Sequence, residues 1–291
     1  MSKVLVMTDT VACIPDDLAK ESQIKRVPAA NIIFEDKTYI DGVTLSAADA
    51  YELIKKDPDK FMTSAVTPSL LIEEYSKIGP EFSEVLFITL SSALSAAFKT
   101  ATLAAENFKE KSPQTTIKIF DSKSVGGGQG LTVLAAAKAA KKGLNLDQIT
   151  AIAEKARQST RGIMMLDTLR YVYRTGCMSK IGSRIASMFN IRPINKVTED
   201  GRIEMVDRTR NREAGLERMI EIIGEDAGTD KLHFMLSHAA APDIVDIFKG
   251  MIEKKFNCLS IIISDYSPVM GYGAGPGAIF VGYQPELNLP V

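Results

Sequence analysis

The chain has 291 residues, 45% of them apolar, with 35 basic against 36 acidic side chains and a formal charge of −1. That length and apolar content suffice for two ordinary domains with packed cores and exclude the disordered and fibrous classes. The balanced charge excludes a global field for nucleic acid or an anionic membrane, so any basic function is local. Val4 to Met7 is a short apolar run closed by Thr8-Asp9-Thr10, and Ile14-Pro15-Asp16-Asp17 then opens a helix with proline and acids in its first turn. Val27 to Phe34, Glu84 to Leu90 and Ile117 to Phe120 read as further strands. The segments Ala93 to Phe108 and Leu131 to Lys142 are rich in Ala, Leu and Lys and read as helices. Strand and helix in alternation predict a parallel sheet flanked by helices.

That arrangement puts the loops at residues 8–10, 63–69, 91–95 and 121–130 on one edge of the sheet. Open parallel sheets bind their ligands at the carboxyl ends of the strands. Beyond about residue 158 the texture changes. Gly162 to Met165 is β-like, Leu169 to Arg174 starts a helix, and Gly201-Arg202 reads as a hairpin turn. A strand over Lys231 to Ser237, a helix opened by Pro242-Asp243, a strand over Cys258 to Ser264 and a final strand over Ala278 to Tyr283 follow. The reading is therefore α/β throughout: residues 1–158 carry the parallel sheet and the hydroxyl-rich loops, and residues 159–291 form a second α/β domain with a mixed or antiparallel sheet.

Cys13, Cys177 and Cys258 are odd in number and widely spaced, which suits neither a disulfide framework nor a zinc site and reads as reduced thiols in a cytosol. No apolar stretch approaches the roughly 18 residues of a membrane span, and the apolar run at the start is too short for a signal peptide. The expectation is a cytoplasmic protein without a membrane span or a metal.

Thr63-Ser64-Ala65-Val66-Thr67-Pro68-Ser69 and Ser91-Ser92-Ala93-Leu94-Ser95 each put several hydroxyls at or near an expected helix start, where free N–H groups also favour an anion. Their alternative role is helix capping. The two histidines, His233 and His238, lack the neighbours of a zinc site or a relay, although His238 could serve Ser95 or Ser92 as a base in a serine hydrolase or acyltransferase. Gly126 to Gly130 looks like a phosphate loop, giving a nucleotide or sugar-phosphate alternative, but GxxxxGK[ST] and GxGxxG are both absent. Arg170, Arg174, Lys180 and Arg184 recur at about one helical turn, and Arg208, Arg210 and Arg212 alternate. They form either a solvated face or a docking patch for an acidic or phosphate-bearing partner.

In order and spacing, Thr8-Asp9-Thr10, Thr63-Ser64, Ser91-Ser92-Ala93-Leu94-Ser95, Asp121-Ser122, Leu169-Arg170-Tyr171, Arg192-Pro193-Ile194 and Gly275-Pro276-Gly277 resemble the DegV family. These are fatty-acid-binding proteins that present acyl chains to a fatty acid kinase. The resemblance implies a non-enzymatic carrier with no cofactor beyond a bound long-chain fatty acid, palmitate-like. It implies that Thr63 and Ser95 hold the carboxylate, with Ser92 as second choice and Thr10 and Gly273 in the same ligand-binding set. It implies an apolar tunnel, with Met164, Met165, Met188, Ile261, Ile262, Ile263 and Phe280 as candidates, and a kinase docked by Arg208 and Arg210 with Arg174 or Lys180. Transient membrane contact fits such a carrier; nucleic acid does not. The chain departs from the family pattern at Val66, at Ala96-Ala97, at Cys177 in place of an Arg, and at Gly273 in place of a His, where water or Tyr272 would take over.

Overall fold

The computed structural model describes residues 3–175 and 191–287, the side chains of Tyr173 and Arg174 excepted. Strand β1 (Lys3–Asp9) leads through a 3-10 turn (Thr10–Ala12) to α1 (Asp16–Glu21) and β2 (Ile24–Val27). Strands β3 (Ala30–Phe34) and β4 (Lys37–Ile40) precede α2 (Ala47–Lys56), β5 (Phe61–Ala65), α3 (Pro68–Ser76) and β6 (Phe82–Thr89). Then come α4 (Ala97–Lys111), β7 (Thr116–Asp121), α5 (Gly126–Lys141) and α6 (Leu146–Ser159). The later part holds β8 (Arg161–Met165), a 3-10 helix (Val172–Thr175), β9 (Arg192–Val197), β10 (Ile203–Thr209) and α7 (Arg212–Ala227). It ends with β11 (Lys231–His238), α8 (Pro242–Lys255), β12 (Asn257–Asp265), α9 (Pro268–Ala274) and β13 (Ile279–Pro285).

The first half builds the expected parallel sheet, four strands in the order β2-β1-β6-β7. Its two central strands, β1 and β6, are largely apolar and buried, as strands covered on both faces must be, while the edge strands β2 and β7 carry Lys25, Arg26 and Lys118. The later half builds a mixed six-stranded sheet, β10-β9-β8-β13-β11-β12, in which only β11 and β12 run parallel. A third sheet was not expected: β4-β3-β5 is antiparallel, and it turns Phe61 to Ala65 into a strand where the sequence suggested a loop before a helix. Thr67, not Thr63, caps α3, accepting from Leu70 N at 3.3 Å.

Helix α5 joins the two halves. It is buried over Gly126 to Val133 and apolar on all sides, as a helix between two sheets must be. The Gly126 to Gly130 segment is the start of this helix and not a phosphate loop. A Cβ at Gly127 would lie 2.2 Å from the Met235 carbonyl oxygen, one at Gly130 2.7 Å from that of Ala12, and one at Gly282 2.3 Å from the Gly127 carbonyl carbon. These glycines let backbone approach backbone, which removes the basis of the nucleotide alternative. Gln129, fully buried on the same helix, donates to Thr8 Oγ1 at 3.1 Å and Asp9 Oδ1 at 3.0 Å, pinning α5 to the end of β1. The largest apolar cluster accordingly runs from Val4 to Phe280 across both halves. Residues 158 and 159, where the boundary was expected, are the last two residues of α6, just before β8.

Candidate functional site

A cavity of about 420 Å³ lies against the ends of the first two sheets. Its walls are β5 (Thr63, Ser64, Ala65), the segment after β6 (Leu90, Leu94, Ser95), Met164 and Leu166 at the end of β8, and Tyr266, Met270, Tyr272 and Gly273 in and before α9. No Asp, Glu, Lys, Arg or His is among the described residues that line it. The site is therefore apolar with a rim of hydroxyls, a lining suited to an alkyl chain ending in one polar group.

The parallel sheet fixes Ser95. Asp9, at the end of β1, accepts from Leu90 N at 2.7 Å, and Ser91 N donates to Ser124 O at 2.9 Å. The Ser91 hydroxyl donates to Gly201 O at 2.7 Å, and Ser95 N closes the turn onto Ser91 O at 3.2 Å. Ser95 Oγ then accepts from Ala97 N, at 3.2 Å, in the first turn of α4. One lone pair is thus used, and the hydroxyl proton remains for an acceptor in the cavity. Helix α4 begins at Ala97, four residues later than the composition suggested, because the Ser91–Ser95 turn occupies the intervening residues.

The small antiparallel sheet fixes Thr63. It pairs with Ile32 on β3, and Phe61, two residues earlier and on the same face, is buried against Tyr272, ring centroids 6.3 Å apart, and Phe34 at 6.4 Å. The Thr63 hydroxyl has no hydrogen-bond partner among the described residues. Thr63, Ser95 and Gly273 thus share one cavity. Among the described residues a Cβ on Gly273 would meet only Thr175 Cγ2, at 3.1 Å.

Thr10 and Ser92 are placed otherwise. The Thr10 hydroxyl donates to Asp41 Oδ2 and accepts from Ala29 N at 3.1 Å. Asp41 also accepts from Val269 N at 3.3 Å, so this pair anchors α9 and, through it, the wall formed by Met270 to Ala274. The Ser92 hydroxyl donates to Asp121 Oδ2 while Ser92 N donates to Oδ1 at 3.1 Å. Neither residue lines the cavity.

Burial governs the ionisation of the supporting groups. Burial raises Asp9 to about 6 against the bonds from Leu90, Gln129 and Val11, and Asp41 to about 6 against those from Thr10 and Val269. Burial also pushes the Cys13 thiol, part of the apolar core, up to about 12, so it stays protonated. Tyr266 is fully buried and its hydroxyl has no partner among the described residues; burial holds it well above the ordinary tyrosine range. Sequence reading missed Asp41 and Tyr266. Asp41 carries no pattern in one dimension, and Tyr266 reads as core.

His238 does not meet Ser92 or Ser95. Its Nδ1 lies 3.4 Å from Asp265 Oδ1, and it lines a separate surface depression with Asp49, Glu52 and Asp265. His233 Nδ1 contacts Ser260 Oγ at 2.8 Å inside the sheet, where burial lowers its pKa.

Of the basic residues, Arg208 and Arg210 are exposed at the end of the edge strand β10 without an ion pair among the described residues. Arg192 and Arg212 converge on Asp167; burial opposes its charge, but the two guanidiniums more than offset this and hold it below the usual carboxylate range. Arg192 Nη1 also donates to Arg210 O at 2.7 Å. Arg174 belongs to the 3-10 helix at Val172–Thr175, whose ends touch the cavity. Lys180, Arg184, Cys177 and Met188 lie outside the described residues. Of the tunnel candidates, Met164 lines the cavity, whereas Met165, Ile261, Ile262, Ile263 and Phe280 do not. Those five pack in the apolar cores.

Among the described residues no helix is long and apolar enough to cross a membrane, and no group of three or more acids, His and Cys could hold a metal.

A family model described as uncharacterised protein, DegV family, matches residues 3–286. A DegV domain-containing protein of Clostridium acetobutylicum is 27% identical over 286 residues, covering 97% of this chain and 98% of its own. The crystal structure of DegV, a fatty acid binding protein from Bacillus subtilis, is 25% identical with a TM-score of 0.86, covering 98% of this chain and 100% of its own. A DegV family protein from Eubacterium eligens, loaded with heptadecanoic acid, is 18% identical with a TM-score of 0.84, covering 97% and 100%.

Proposed function

The chain belongs to the DegV family, and from that premise we propose that it binds one long-chain fatty acid, palmitate-like, in the cavity and presents it to a fatty acid kinase. The observation that carries the reading is the cavity itself: Thr63 and Ser95 line one space with Met164, Leu166 and Met270 and, among the described residues, no ionised side chain. Thr63 and Ser95 donate their hydroxyl protons to the carboxylate. Neutral donors suffice because the chain supplies most of the affinity. About 15 buried carbons at ~0.8 kcal/mol each give roughly 12 kcal/mol gross, and association subtracts several kcal/mol from that.

The head-group residues come from residues 1–158, and Met164, Leu166 and Met270, with the basic surface at Arg208 and Arg210, come from 159–291. We assign Thr10 and Ser92 to holding the walls rather than the lipid. Arg208 and Arg210, exposed and without an ion pair among the described residues, dock the kinase together with Arg174 or Lys180; reversing the charge of Arg208 and Arg210 should abolish phosphorylation of carried lipid while leaving lipid uptake intact. The hydrolase alternative loses its base, because His238 is engaged with Asp265 away from the cavity. Native mass spectrometry of the purified protein, with identification of the released small molecule, tests the carrier reading. One stoichiometric fatty acid supports it; no lipid, and no uptake of added palmitate, would sink it.

A further inference from the structure

A second cavity, of about 300 Å³, lies between the loop after β7, the carboxyl end of α6 and the turn after β9, and its chemistry is the opposite of the first. Lys123, Arg157 and Arg161 line it with only Glu154 and Glu199 opposed to them, an excess of one positive charge. The Arg157–Glu154 pair is internally satisfied, Nη2 to Oε1 at 2.5 Å, with the Arg157 guanidinium seated over the Phe120 ring. Lys123 and Arg161 have no carboxylate partner among the described residues. Arg161 uses Nη1 on the Gln158 and Thr160 carbonyls, at 2.6 and 3.1 Å, which fixes the guanidinium and leaves its other N–H groups for the cleft.

Two further observations separate this cleft from an ordinary solvated basic patch. Ser124 lines it and is 9% exposed, and its Oγ, packed against Gly128 of α5, has no hydrogen-bond partner among the described residues. Lys123 holds a left-handed backbone, φ +49°, closed by its own N–H on Asp121 Oδ1 at 2.9 Å; a lysine rarely adopts this conformation. At roughly 30 Å³ per water the volume corresponds to about ten water-sized groups, more than a lone ion fills. We propose that this cleft is a second ligand site, for a compact anionic metabolite bearing a phosphate or carboxylate group, held by Lys123, Arg161 and the Ser124 hydroxyl. Charge-assisted bonds from an ammonium and a fixed guanidinium suit either oxyanion.

The experiment is thermal unfolding and calorimetric titration of the full chain with inorganic phosphate and with citrate, each against potassium chloride at matched ionic strength. At least one probe should raise the unfolding temperature saturably beyond the chloride control. A response to phosphate alone makes the ligand a phosphate compound, and a response to citrate alone a carboxylate. Lys123→Asn/Arg161→Gln, in which Asn tolerates the left-handed backbone, should weaken that binding by about tenfold or more with palmitate uptake unchanged. Glu199→Gln, which removes the opposing charge, should tighten it, and carries the test if the double variant does not fold. No response to either probe beyond chloride, binding unchanged in a folded double variant, or no tightening in Glu199→Gln would overturn the proposal.

Discussion

Thr10 and Ser92 direct their hydroxyls onto carboxylates of the same chain, Asp41 and Asp121, whereas Thr63 and Ser95 line a cavity with no ionised group on its described wall. All four are short hydroxyl residues at or near strand ends, and by spacing they are equivalent. What separates them is the acid that the fold brings up beside two of them. A hydroxyl that already serves an internal carboxylate organises the site, and one without such a partner can serve a ligand's carboxylate.

The comparison breaks most visibly in the cavity pair. Thr63→Ala/Ser95→Ala should weaken palmitate binding by a hundredfold or more, at about 1.5–3 kcal/mol for each bond to a charged group. Stability without lipid should fall only by what the lost Ser95 Oγ bond to Ala97 N costs, about 1 kcal/mol, since neither hydroxyl proton serves an internal carboxylate.

The buried acids give the next effect, in pH. Asp9 and Asp41 sit at about 6 when folded and near 3.8 when unfolded, so folding favours their protonated forms. Their contribution is fully present below the unfolded value and is lost as pH rises through about 6, a swing on the order of 3 kcal/mol per group. Chemical denaturation at pH 5 and 7.5 should show Asp41→Asn with a flatter dependence than the parent. An unchanged slope would mean that Asp41 is solvated.

Thr10→Val should cost about 2 kcal/mol of stability by leaving Asp41 one donor short, with palmitate affinity within about threefold of the parent; a larger loss of affinity than of stability would move Thr10 into the head-group site. The smallest change is a gain. Among the described residues only Thr175 crowds a side chain at Gly273, and it need yield by a few tenths of an ångström. Gly273→His should tighten palmitate binding about fivefold, the worth of one net hydrogen bond near 1 kcal/mol. A calorimetric titration that shows weaker binding would mean that the ligand needs the space at Gly273.

In the parallel sheet β1, β6 and β7 were legible because each is a largely apolar run followed by polar residues and a helix, and the hairpin at Gly201 because its turn separates two β-like runs; β2 was not, because its middle residues are Lys25 and Arg26, and the single strand read over Val27 to Phe34 is the end of β2 followed by β3 of another sheet. The antiparallel sheet was hidden. Phe61 to Ala65 is short, with one large buried side chain and two hydroxyls, and nothing local says that β3 will pair with it. The glycines of α5 misled for a different reason: a helix squeezed between two sheets needs the same residue that a phosphate loop needs, and only the neighbours, the Met235 and Ala12 carbonyls, tell the two apart. The site was half legible. Thr63 and Ser95 stood out as hydroxyl motifs, but the apolar wall from Met270 and Tyr272 and the role of Asp41 depend on contacts more than 200 positions apart, as in the bond from Val269 N to Asp41.

The central claim is that the cavity holds a fatty acid with its carboxylate on Thr63 and Ser95. A crystal structure of the palmitate complex tests it most directly. The account requires the carboxylate oxygens within hydrogen-bond distance of Thr63 Oγ1 and Ser95 Oγ, with the acyl chain running along Met164, Leu166 and Met270. A carboxylate seated on Ser92 or Thr10, or a chain lying outside this cavity, would contradict it.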